Sequence, residues 1–116
     1  MNESAIQKAV FQHFRARSAP GVFAFHPPNG GYRKPIEAAI FKGVGVVSGV
    51  PDIIAIKDGH FYALELKAED GRLSTNQTAV LARLKECGAI CAVAFGLGAA
   101  LKQLEQWQLL KGWVAG

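Results

Sequence analysis

The chain predicts a single mixed α/β domain, residues 1–116, with elements in the order α-β-α-β-β-α-β-α. Three observations carry that expectation. Apolar residues recur at helical spacing in several separate stretches. Asp58-Gly59 lies between two apolar runs of strand length, a strong two-residue hairpin signal because both turn positions favour positive φ. Residues 89–95 form an almost uninterrupted apolar run, which reads as a central strand buried on both faces. Half of the 116 residues are hydrophobic and 19% are charged, a composition for one folded core rather than a disordered tail.

Each element has its own signals. Asn2 or Ser4 can cap a first helix in which Ile6, Val10, Phe11 and Phe14 share a face to about Arg17. Ser18-Ala19-Pro20-Gly21 stops it, and Val22 to Phe25 reads as a short strand. His26-Pro27-Pro28-Asn29-Gly30-Gly31 must be a loop. Pro35 suits the first turn of a short helix from Lys34 to Lys42, with Gly43 beyond its end. Ile53–Lys57 and His60–Lys67 are the two hairpin strands. Ser74 opens a helix running through Cys87, with Val80, Leu81 and Leu84 on one face and Gly88 at its end. After the strand ending at Phe95, Gly96-Leu97-Gly98 turns into a last helix carrying Leu101, Leu104, Trp107 and Leu110.

Several function classes are unsupported. No apolar run approaches the roughly 18–20 residues of a membrane span. The N-terminus lacks a basic segment followed by an apolar one, so the expectation is a cytoplasmic protein. Cys87 and Cys91 have no companion Cys/His cluster, which argues against zinc, and both read as small core residues without a disulfide. The net charge of +4 and pI of about 9.3 are compatible with a polyanionic partner.

The chemistry concentrates in "GVPDIIAIKDGHFYALELK", residues 49–67. If Asp58 and Gly59 form the turn, Lys57 pairs with His60, and counting back puts Asp52 opposite Glu65. Their Cβ atoms would stand roughly 4.5–5.5 Å apart. Lys67, two residues beyond Glu65, shares that face. On the same face, Ile54, Ile56, Phe61 and Ala63 would continue into apolar core, while Ile53, Ala55, Tyr62, Leu64 and Leu66 line the other. Two carboxylates this close cannot both stay ionised cheaply. A divalent cation reconciles them, and hard oxygen ligands with room for water suit Mg²⁺ or Mn²⁺. Lys67 beside such a site can orient an attacking water or offset charge growing on a phosphate. The plainer reading makes Asp52 a strand-entry cap after Pro51 and leaves Glu65 and Lys67 as solvated edge residues.

Gly49-Val50-Pro51-Asp52, twelve residues, then Glu65-Leu66-Lys67 resembles the PD-(D/E)xK nuclease signature. With Glu3 in the first helix, Asn29-Gly30-Gly31 in the loop and Ser74-x-x-Gln77 following, nearly the whole chain resembles a VRR-NUC domain. The resemblance implies a restriction-endonuclease-like mixed sheet flanked by helices, and metal-dependent hydrolysis of DNA phosphodiesters. Stand-alone domains of this length are similar to phage proteins that cut branched DNA as homodimers, in the manner of Holliday-junction resolvases. By position, the resemblance makes Asp52, Glu65 and the main-chain carbonyl of Leu66 metal ligands, with Glu3 helping to complete the site. It makes Lys67 the catalytic lysine, with Gln77 touching the active-site water or phosphate.

Other readings stand beside these. Ser74-x-x-Gln77 is also a capping box, and both roles can coexist because a helix N-terminus favours a phosphate nearby. Glu3 also suits the first turn of a helix through the dipole. His26 reads as a loop or substrate-contact residue rather than a general base. Asn29, Gly30, Gly31, Arg33 and Lys34 read either as a DNA-contact loop or as an ordinary turn. Lys42 ends a helix, where a cation is favoured anyway, and would point toward the approach to the site. Arg15, Arg17, Arg72 and Lys85 are expected to be solvated. The rival functions are a nicking or repair nuclease of the same fold acting on duplex DNA, and a DNA-binding module with a dead site.

Overall fold

The computed structural model describes residues 1–28 and 34–112. Helix α1 (Glu3–Arg17) starts at Asn2, whose Oδ1 accepts the Ala5 N–H at 2.8 Å. Strand β1 (Phe23–Phe25) follows, then helix α2 (Pro35–Gly43). Gly43 closes α2 rather than lying beyond it, and the turn that follows is made at Gly45, with φ +94°. Strands β2 (Ile53–Lys57) and β3 (His60–Lys67) form the expected hairpin, with φ of 50° at Asp58 and 76° at Gly59. Helix α3 (Thr75–Glu86), strand β4 (Ile90–Phe95) and helix α4 (Leu97–Gln106) complete the order.

The four strands lie in the order β1-β2-β3-β4. β1, β2 and β3 run antiparallel, and β4 joins β3 in parallel through the α3 crossover. β4 is therefore an edge strand, not the central one that its apolar run suggests. The central strands are β2 and β3. Cys91 on β4 is half-buried and Cys87 at the end of α3 is exposed; both are free thiols rather than core residues. Burial raises the Cys91 pKa.

The core occupies one face of the sheet. Ile53, Ala55, Leu64, Leu66 and Ala94 meet Ile6, Val10 and Phe14 of α1 and Ala100 and Leu104 of α4, with Leu109 and Leu110 just after it. Ile54 and Ala63 on the opposite face are buried, but Ile56 and Phe61 are exposed, so that face does not continue into core as expected. No described helix is long and apolar enough to cross a membrane.

Arg17 also departs from expectation. It is buried, its Nη1 pairs with Glu105 Oε2 at 2.6 Å and donates to the Lys111 carbonyl, and its Nε donates to His13 Nδ1 at 2.9 Å. It fastens the end of α1 to the segment after α4.

Candidate active site

The site is built where β2 begins and β3 ends. The paired residues run from Lys57↔His60 to Ile53↔Leu64, so the next position along places Asp52 against Glu65, as the turn requires. Pro51 lies opposite Leu66 in that register and has no N–H to give. The Asp52 carboxylate fills part of the gap: its Oδ2 accepts the Leu66 N–H at 2.8 Å. In an antiparallel ladder the N–H and C=O of one residue face the same edge, so the Leu66 carbonyl is directed there too.

Gly49 brings this turn against α3. Its φ is +82°, and a Cβ there would come within 3.0 Å of Asn76 Nδ2 and 3.2 Å of the Asn76 main-chain carbon. Asn76 Nδ2 in turn donates to Ser48 Oγ at 2.6 Å.

Glu65 is 1% exposed and Lys67 is 6% exposed. Gln77, on the first turn of α3, donates its Nε2 to Glu65 Oε1 at 3.3 Å. The same side chain closes the capping box: its Oε1 accepts the Ser74 N–H at 2.9 Å while Ser74 Oγ accepts the Gln77 N–H at 3.0 Å. Capping and site contact thus coexist in one amide. Glu3 reaches the site from α1, with Oε1 at 3.9 Å from Lys67 Nζ. It contacts the lysine, at the margin of ion-pair range.

Electrostatics single out Glu65. Its pKa is raised from 4.5 to about 9. Burial is the main cause; the Asp52 carboxyl adds to it as hydrogen-bond partner and like charge, Lys67 opposes it, and Glu3 adds a little. While both carboxylates are ionised there is no proton between them to share. Glu65 Oε2 is then a buried oxygen with no hydrogen-bond partner among the described residues. Such an atom asks for either a proton or a cation. A hard divalent cation fits this donor set of two carboxylates and a main-chain carbonyl, with its remaining positions left to water. Among the described residues no cluster of three His, Cys, Asp or Glu side chains is suited to a metal.

One contact escaped the sequence reading. His26, just after β1, lies with Nδ1 2.6 Å from the main-chain oxygen of Asp52. A carbonyl only accepts, so Nδ1 carries the proton. His26 is thus tied to the backbone of Asp52 rather than standing free in a loop. Its signal is the β1–β2 register, Phe25↔Ile54, which brings the end of β1 beside the start of β2. Nothing in the sequence fixes that register.

The remaining candidates divide. Lys34 and Lys42 are exposed at the two ends of α2, and Ser74 is engaged in its cap. Asn29, Gly30, Gly31 and Arg33 lie outside the described residues.

Two solved structures share the fold of this chain. A solved structure described as a VRR_NUC domain protein superposes with a TM-score of 0.75 at 21% identity, covering 92% of this chain and 88% of that one. Another, described as a VRR_NUC domain, gives 0.59 at 21% identity, with 90% and 94% covered. These two likenesses concern the fold. No match is found among curated proteins. The model of the VRR-NUC domain family matches residues 2–96, which span α1 to β4 and every side chain of the cluster, and the chain belongs to that family.

Proposed function

We propose that the 116 residues act as one metal-dependent endodeoxyribonuclease unit, hydrolysing phosphodiester bonds in branched DNA in the manner of a Holliday-junction resolvase. The observation that carries this reading is the buried Glu65 carboxylate with a bare Oε2, set beside Asp52 and Lys67 at the mouth of the hairpin. VRR-NUC membership supports nuclease chemistry, and a net charge of +4 supports a polyanionic substrate.

Asp52, Glu65 and the Leu66 carbonyl would hold Mg²⁺ or Mn²⁺. Such an ion, when bound, polarises a phosphate oxygen and lowers the pKa of a water. The side chains around it do the rest. Lys67 sets its ammonium beside the carboxylates, where it orients the attacking water and offsets charge on the phosphate. Gln77 fixes the Glu65 carboxylate from α3, and Glu3 stands by Lys67 from α1. Water oxygen bonds to phosphorus, the bond to the 3′-oxygen breaks, and the products are a 5′-phosphate and a 3′-hydroxyl. Lys34, Lys42, Ser74 and the 29–33 loop, with Asn29, Gly30, Gly31 and Arg33, would contact the backbone away from the reacting group.

Cutting both strands of a junction takes two sites, so the working form is a homodimer, active in the cytoplasm. The test is a gel assay on labelled four-way junction, flap and duplex DNA with Mg²⁺, with Mn²⁺ and with EDTA. Metal-dependent cleavage of the junction in preference to duplex is the expected result. Equal cutting of plain duplex would replace branch specificity with a nicking or repair role. Binding without cleavage in either metal would leave only a DNA-binding module.

A further inference from the structure

We propose that Asn76 is a positioning residue: by holding Ser48 it fixes the turn that delivers the Asp52 carboxylate to Leu66 and to the cation. The consequence for the cation rests on the nuclease reading above, while the hold on the turn does not.

Asp52 needs support from outside the hairpin. Strand β2 begins only at Ile53, so Asp52 stands just before the paired ladder. It ends an irregular approach in which Gly45 and Gly49 have φ of +94° and +82°. Pro51 offers no N–H with which to extend the pairing. Contacts from other elements fix this stretch. His26, after β1, meets the main-chain oxygen of Asp52. Asn76, on the first turn of α3, meets Ser48, with Nδ2 donating to Oγ at 2.6 Å.

The approach is close because residue 49 is a glycine. A Cβ there would meet the Asn76 side-chain amide at 3.0 Å and the Asn76 main-chain carbon at 3.2 Å. The turn therefore comes up to the helix main chain to main chain. On either side of this point the two elements part. Val47 and Val50 share with Ala79, Val80 and Arg83 the lining of an open groove of about 360 Å³. At Ser48 and Gly49 the turn is gripped; at Val47 and Val50 it leaves space.

The next residue along α3 gives this grip its role. Gln77 donates to Glu65 Oε1. Consecutive residues of one helical turn thus hold the two acids, Asn76 through the turn before Asp52 and Gln77 by direct contact with Glu65. The start of α3 sets the two carboxylates relative to one another as one rigid piece. Ser48 and Asn76 are both exposed, and a single exposed hydrogen bond contributes little to global stability, so its loss is felt locally. The local reporter is Leu66, whose N–H donates to Asp52 Oδ2 at 2.8 Å. Leu64, two residues back and inside the ladder, directs its N–H to the same edge of β3 and serves as the reference.

The test is native-state hydrogen exchange by NMR without metal, on the native protein, Asn76→Ala, Ser48→Ala and Ser48→Thr. The Leu66 amide is expected to exchange about tenfold faster in both alanine variants, and at the native rate in Ser48→Thr, which keeps the hydroxyl. Leu64 should be unchanged throughout. Combining the two alanine substitutions should add nothing, because each removes the same bond. Native exchange at Leu66 in either alanine variant overturns the proposal. So does equal acceleration at Leu64 and Leu66, which marks a general loss of stability. Calorimetric titration with Mn²⁺ then reads the consequence, an affinity about tenfold weaker in both alanine variants and recovered in Ser48→Thr. Native affinity in the alanine variants overturns the link to the cation. A native protein that takes up no Mn²⁺ sinks the nuclease reading, while faster Leu66 exchange still upholds the hold on the turn.

Discussion

Gln77 donates its amide to Glu65 at 3.3 Å from the first turn of the helix that it also caps. The two tasks fall on different atoms, Nε2 for the carboxylate and Oε1 for the Ser74 N–H. They can therefore be separated. Ser74→Ala removes the hydroxyl acceptor and is expected to cost about 1 kcal/mol of stability, measured by urea unfolding, with cleavage falling only a few-fold. Gln77→Ala should cost a similar amount of stability and reduce cleavage at least about tenfold, because it also frees Glu65.

The pH dependence follows from Glu65. Its folded pKa of about 9 lies above the ordinary 4.5, so between those values the folded state binds more protons than the unfolded one. Stability from this group is complete below about pH 4.5 and is lost as pH rises toward 9. The metal-free protein should thus lose about 5 °C or more in Tm between pH 5.5 and 8.5. Mn²⁺ should restore it, with a gain that grows with pH because the ion displaces the proton. Glu65→Gln should flatten the profile and abolish both the Mn²⁺ effect and cleavage. Differential scanning calorimetry across that range reads all three outcomes.

Asp52 and Lys67 should separate metal binding from the chemical step. Asp52→Ala removes a proposed ligand and the acceptor for the Leu66 N–H, so Mn²⁺ affinity and cleavage should both disappear. Lys67→Ala should leave Mn²⁺ bound, by calorimetric titration, while cleavage falls by about a hundredfold or more. Both variants should bind junction DNA within a few-fold of the native protein.

His26 offers a conservative comparison. His26→Ala releases the Asp52 carbonyl, and Mn²⁺ affinity should drop about tenfold or more, as loss of an orienting partner usually does. His26→Asn keeps a donor near the position of Nδ1 and should recover most of it. Equal affinities in the two variants would mean that the 2.6 Å contact does not position Asp52.

The hairpin was legible because Asp58-Gly59 allows only one economical pairing, and that pairing alone brought Asp52 to Glu65. The cap at Ser74 was legible for a similar reason, since its partner is three residues away. What escaped notice depends on distant strands or shared faces. The apolar run of β4 reads the same on an edge as in a centre, and its half-exposed state reflects its place last in the sheet. Ile56 and Phe61 look like core from alternation, yet α1 and α4 both pack on the other face. Arg17 looks solvated until the chain after α4 returns to meet it.

That return has a practical consequence. The family match ends at residue 96, but Leu104, Leu109 and Leu110 beyond it are buried in the core. Ala19 donates to the Leu109 carbonyl and Lys111 to the Arg17 carbonyl, each at less than 3 Å. Helix α1, braced at its far end by this segment, carries Glu3 at its near end. An expression boundary drawn at the edge of the recognised family would saw off that buttress, and the damage would travel about 20 Å along the rod to the lysine.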